Sequence, residues 1–95
     1  MISWVYMITN KSNSVLYTGV TIDISRRIGN HKDKDSRESF SAKYNCYKLV
    51  YAEVFDDLYS ARVREKQIKN WKREWKNELI EKENPGWQDI SDNIL

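Results

Sequence analysis

Two tyrosines, Tyr6 and Tyr17, stand on either side of a polar stretch near the start of the chain, and Arg27, His31, Glu65 and Asn77 follow them. Two phenols, a guanidinium, an imidazole, a carboxylate and an amide suit the hydrolysis of a phosphodiester with help from a divalent ion. Arg27 cannot act as a base, but its planar fork matches the charge of a pentavalent phosphorus. His31 could hydrogen-bond a phosphate oxygen or a bound water. Each residue also has an ordinary reading. Helical arginines and lone histidines are commonly surface residues, and strand tyrosines are commonly core. A tyrosine base is unusual because its pKa of about 10 must fall toward neutrality. A nearby metal-bound water, arginine or lysine pushes it that way.

Glu65 is distinctive on physical grounds alone. On a helix, Leu58, Ala61, Glu65 and Ile68 fall on one narrow stripe, with the carboxylate near its middle. A carboxylate on a core-facing stripe costs desolvation unless a cation or donor meets it. Arg27 is one candidate partner and a divalent ion is the other. Mg²⁺ favours oxygen ligands and often takes a single protein carboxylate, with water and phosphate oxygens filling the rest.

The elements that must position these groups are legible. Residues 3–9 are β-branched and aromatic and predict a strand, residues 10–14 a turn, and residues 15–20 a second strand paired with the first. Asp23 is a candidate N-cap for a helix over about 24–31, in which Ile24 and Ile28 bury and Arg27 and His31 share an i,i+4 edge. Residues 32–46 read as a loop, with Phe40 and Tyr44 as anchors. Tyr47 to Phe55 is the strongest strand, and Asp56-Asp57 opens a helix over 58–70, followed by another over 71–82. Pro85-Gly86 ends regular structure, leaving a tail that packs through Trp87 and Ile90. The order β-β-α-β-α-α predicts an α+β fold, a small three-stranded antiparallel sheet flanked by helices. One domain over 1–84 and a tail over 85–95 are expected.

Composition narrows the class further. Ninety-five residues allow one domain with a thin, aromatic-rich core. No apolar run approaches the ~20 residues that span a bilayer, and Met1-Ile2-Ser3-Trp4 lacks the pattern of a secretory signal. A single cysteine, Cys46, allows no intrachain disulfide, so a cytoplasmic setting is expected. The net charge of +2 conceals a basic block over 62–76 at net +5 and an acidic end over 77–95 at net −4. Screening limits cross-talk between them to about 8–10 Å, so the block can meet phosphates locally, or it can be a solvated, ion-paired helix face.

The strings Trp4-Val5-Tyr6 and Tyr17-Thr18-Gly19, with Arg27, His31, Glu65 in Arg64-Glu65-Lys66-Gln67, and Asn77, resemble the GIY-YIG nuclease family over roughly residues 3–82. The resemblance is closest to its stand-alone single-domain bacterial group, related to the N-terminal nuclease domain of the bacterial repair excinuclease. Trp4 replaces the first glycine of the first motif, and Thr18 the middle residue of the second. The resemblance implies a metal-dependent endonuclease with catalytic residues Tyr6, Tyr17, Arg27, His31, Glu65 and Asn77, and one Mg²⁺ or Mn²⁺ on Glu65. It implies Tyr6 or Tyr17 as proton acceptor, with Tyr6 preferred, and Arg27 as the group stabilising the transition state.

Lys66, Lys69, Lys72, Arg73 and Lys76, interleaved with Trp71 and Trp75, are candidate nucleic-acid contacts. The alternative for the two tryptophans, an i,i+4 pair, is that they seal the core. Family members that cut at defined sequences usually carry an added DNA-binding domain. In a chain of this length, nicked, branched or single-stranded DNA, or a targeting protein, is the expected partner, in repair or recombination. The competing readings are a non-catalytic nucleic-acid-binding or adaptor module on the same scaffold, and a structural protein-interaction domain.

Overall fold

Ser3–Thr9 form β1, the middle strand of a three-stranded sheet ordered β2-β1-β3, with β2 at Leu16–Thr21 and β3 at Lys48–Phe55. Both neighbours run antiparallel to it. The computed structural model describes residues 1–32 and 44–94, the side chains of residues 30–32 apart. Because β1 is central and covered on both faces, its apolar run is continuous, and Val5, Tyr6, Met7 and Ile8 are all at most 1% exposed. Tyr6 and Ile8 join Ile24, Ile28, Cys46 and Leu49 in one core, with Tyr17 packed against it. Val5 and Met7 join Val50, Tyr51, Ala61, Ile68 and Ile80 in the other. A register shift between Met7 and Ile8 leaves Val50 as the extra residue of a bulge in β3.

Helix α1 (Ile24–Lys32) starts where the Asp23 carboxylate accepts the Arg26 amide at 3.1 Å. Helix α2 (Leu58–Lys69) starts where Asp57 accepts the Ser60 amide at 2.7 Å. Helix α3 (Arg73–Glu83) begins two residues later than the sequence pattern suggests, because Asn70 closes α2 and Lys72 is extended. The α+β class, the three antiparallel strands and the strand and helix order are those expected. Among the described residues, no helix is long and apolar enough to cross a membrane.

Two local expectations are corrected. Tyr44 is 40% exposed rather than buried; Phe40 and the rest of 33–43, the segment the two aromatics are expected to anchor, lie outside the described residues. Regular structure also continues past Pro85-Gly86. Helix α4 (Ser91–Ile94) follows, and the tail is bonded along the outer edge of β3, where the Ile90 amide donates to the Leu49 carbonyl at 2.8 Å. The Asp89 carboxylate accepts the Leu49 amide at 3.3 Å. Asn84 completes the join, its buried side-chain amide donating to Val50 and Gln88 carbonyls at 3.1 and 2.9 Å. The β3 edge is thereby covered, and among the described strands β2 pairs with β1 alone.

Candidate active site

The hairpin brings the two tyrosines together by register. Tyr6 pairs with Gly19 and Ile8 with Tyr17, so both rings stand on the α1 side of the sheet, their centroids 6.4 Å apart and tilted by 48°. Gly19 makes this possible. A Cβ there would lie 2.5 Å from Tyr6 Oη, 2.6 Å from Tyr6 Cζ and 3.0 Å from Tyr17 Cε2. The Tyr6 phenol therefore lies over bare backbone, a close approach that a side chain on residue 19 would block.

Tyr6 also reports which charges surround it. Burial above all holds its phenol well above the usual tyrosine range; Tyr17 raises it further, Arg27 lowers it and Glu65 raises it. Tyr17 of β2 is in ring contact with it, and the charges of Arg27 on α1 and Glu65 on α2 act on the same phenol. Arg27 is exposed, and with Arg26, Thr21, Ile22 and Asp23 it lines a cleft of about 330 Å³ beyond the end of β2. The backbone of His31 lies in the last turn of α1, one helical turn beyond Arg27; its side chain lies outside the described residues.

Helix α2, which carries Glu65, packs against β1 and β2. Ala61 and Ile68 are fully buried on the same helix, and the Glu65 side chain keeps 19% of its surface exposed. Of the two partners considered for Glu65 from sequence, Arg27 is not the cation in contact. Lys69 is, with Nζ 3.4 Å from Oε2, and the same ammonium lies 5.9 Å from the Tyr17 ring centre.

Asn77 serves a different neighbour. Its side-chain oxygen accepts from Arg73 Nε at 2.9 Å, while the Arg73 Nη atoms donate to the Asn13 and Ser14 carbonyls at 2.6 and 3.3 Å. Asn77 and Arg73 thus pin the β1–β2 turn, in which Asn13 takes a left-handed φ of 61°. Lys66, Lys69 and Lys72 are exposed, and Lys76 is half-buried. The tryptophan pair divides. Trp71 packs on the core beneath the Arg64 guanidinium, 5.2 Å from its ring centre, whereas Trp75 is 50% exposed and does not seal anything.

A family model of the GIY-YIG catalytic domain matches residues 2–79. The chain belongs to the GIY-YIG family. Its relatives include UPF0213 proteins of Syntrophus aciditrophicus, 36% identical over 78% of this chain and 84% of theirs, and of Staphylococcus haemolyticus, 37% identical over 82% and 93%. The solution NMR structure of a UPF0213 protein from Bacillus halodurans is 25% identical, with a TM-score of 0.60 over 97% of this chain and 96% of that one. A GIY-YIG domain is a nuclease domain; the type implies an endonuclease-type hydrolase with DNA as substrate, as a rule dependent on a divalent metal.

The donor set of this GIY-YIG site fits one such ion. Among the described residues, no three His, Cys, Asp or Glu side chains meet in a group that could hold a metal. Glu65 offers a single, mostly buried carboxylate, the arrangement in which Mg²⁺ or Mn²⁺ draws its remaining ligands from water and phosphate. Sequence reasoning missed Gly19 as a spacer for Tyr6, Arg26 as the second arginine of the cleft and Lys69 as the partner of Glu65. Only Lys69 carried a signal, its i,i+4 spacing from Glu65.

Proposed function

We propose that the protein is a metal-dependent endonuclease of the cytoplasm that hydrolyses DNA phosphodiester bonds with little sequence selectivity, in repair or recombination. The observation that carries this reading is the hairpin register that sets Tyr6 and Tyr17 side by side, 6.4 Å between ring centroids, with Glu65 linked to the Tyr17 ring through the Lys69 ammonium. Glu65 is the residue that would hold one Mg²⁺ or Mn²⁺, and the ion when bound supplies Lewis-acid polarisation of the phosphate and stabilisation of the leaving 3′-oxygen. Arg27, exposed at the cleft, neutralises charge on the pentavalent transition state. Arg26 beside it holds a flanking phosphate.

The burial of Tyr6 supports a division of labour that reverses the preference drawn from sequence. A base must have its pKa brought toward neutrality, and burial drives Tyr6 the other way. The more exposed Tyr17 takes the proton of the attacking water, and Tyr6 orients the reacting groups from beneath. His31 positions water or phosphate, and Asn77 acts through Arg73 on the hairpin that carries both tyrosines. Lys66, Lys69, Lys72 and Lys76 follow the backbone of the strand. An exposed Trp75 with the Lys72 ammonium 5.7 Å from its ring centre supports a nicked, branched or single-stranded substrate, whose unpaired base can stack. A targeting protein could supply the choice of site.

The test is nicking of supercoiled plasmid and branched oligonucleotides in Mg²⁺, Mn²⁺ or EDTA, beside Glu65→Gln and Arg27→Ala. Arg27→Ala should lower the single-turnover rate by about 10²-fold or more while DNA affinity changes little, since it serves transition-state charge. Binding without nicking in any metal would favour a non-catalytic adaptor, and nicking that survives both substitutions would sink the assignment.

A further inference from the structure

Lys69 is placed where a bound ion would have to be considered. Its ammonium lies 3.4 Å from Glu65 Oε2 and 5.9 Å from the Tyr17 ring centre, so one side chain covers both the carboxylate and the more exposed phenol. Lys69 is 49% exposed against 19% for Glu65. The carboxylate is therefore held on its stripe, while the lysine head can swing outward on a packed stem.

The surroundings give Lys69 a reason to move. Burial above all, then Arg73 and Lys69, hold the Lys76 ammonium below the usual lysine range, so Lys69 already shares its surroundings with other positive charge. Arg73 is tied to the turn carbonyls and cannot leave. A divalent cation held by Glu65 would add two like charges beside the ammonium, and like charges repel strongly in a partly buried setting. Of these cations, Lys69 is the one that is both in contact with Glu65 and half-exposed.

We propose that Lys69 is the resident counter-ion of Glu65, that it gives way when a divalent ion binds, and that it then sets its ammonium on a phosphate oxygen of the bound strand. This rests on the reading of Glu65 as the metal-holding carboxylate. Lys69 is thus a positioning residue. In the resting protein it neutralises a mostly buried carboxylate, and in the loaded complex it contacts substrate.

The experiment measures Mn²⁺ binding to the DNA-free, full-length protein by electron paramagnetic resonance of the free ion, for the wild type, Lys69→Gln, Lys69→Arg and Glu65→Gln. Lys69→Gln should bind Mn²⁺ about three- to tenfold more tightly, because a competing cation is removed, and Lys69→Arg should stay near the wild type. At saturating Mn²⁺, Lys69→Gln should nevertheless cut more slowly in a single turnover. In an Arg27→Ala background that prevents cutting, Lys69→Gln should reduce the slope of log affinity against log salt by about 1 in Mn²⁺. Unchanged or weaker Mn²⁺ binding by Lys69→Gln overturns the displacement, and an unchanged salt slope overturns the hand-over to phosphate. Should Glu65→Gln bind Mn²⁺ as the wild type does, the metal reading of Glu65 itself fails, an outcome distinct from the other two.

Discussion

Tyr6 and Gly19 constrain each other, and the pair decides how the site is built. The 2.5 Å and 2.6 Å approaches that a Cβ would make to Tyr6 Oη and Cζ leave no room for even a methyl group. Gly19→Ala should destabilise the fold by about 1–3 kcal/mol through overpacking and displace Tyr6, a loss to be read from urea unfolding and plasmid nicking together. Unchanged stability and nicking would mean that the phenol does not lie over residue 19. The two tyrosines should also separate kinetically. Tyr17→Phe removes the proton acceptor and should lower the single-turnover rate by about 10²-fold or more. Tyr6→Phe should cost less, because its buried phenol orients rather than transfers. The reverse order of effects would restore Tyr6 as the base.

Helix α3 is tied to the hairpin turn. Arg73 joins them: its guanidinium donates to the Asn13 and Ser14 carbonyls, is braced by Asn77 and stacks 5.9 Å from the Trp87 ring centre. Arg64 does similar work at the other end of the basic block, with Nε donating to Glu53 Oε1 at 3.1 Å across to β3. Two members of a run that reads as phosphate-seeking are therefore also tied into the fold. Arg73→Met should accelerate amide exchange across residues 10–15, with the salt slope of DNA binding unchanged. Lys66→Gln or Lys72→Gln should instead lower that slope by about 1 each and leave exchange alone. A fall in slope for Arg73→Met would place its guanidinium on DNA.

At the scale of the whole molecule, the segment beyond Pro85 belongs to the fold. Trp87 is buried with its indole donating to Glu81 at 3.0 Å, and it adopts a left-handed φ of 53° that costs about 1–2 kcal/mol for an L residue. Burial of that ring, together with Ile90 and Ile94 packed on the α1-side core, offsets the strain. Ending the chain after Glu83 should lower the melting temperature by about 10 °C or more and expose the β3 edge to self-association, as calorimetry and light scattering would show. A truncated chain that melts as the full one does would reduce the tail to an appendage.

The fold class was legible because local signals agreed: β-branched runs for three strands, Asp23 and Asp57 as caps, and a helical stripe with Glu65 inside it. Tyr6, Tyr17, Arg27 and Glu65 stood out as a candidate set because motif spacing carries chemistry along the chain, and of these the structure brings Tyr6 and Tyr17 into ring contact. The partners of these residues were not legible. Whether Glu65 meets Arg27 or Lys69, and whether Trp75 lies inside or outside, depends on how α2 and α3 sit against the sheet. That is decided by packing between distant segments, which periodicity does not record. The tail shows the same limit, since Pro85-Gly86 signals a break in local structure, whereas the pairing of Ile90 with Leu49 is a contact across the fold. Residue types and local order thus came from the sequence by itself. Accessibility and pairing came from tertiary structure, because burial and neighbouring charge, which set the chemistry of a phenol, exist only once the chain has closed.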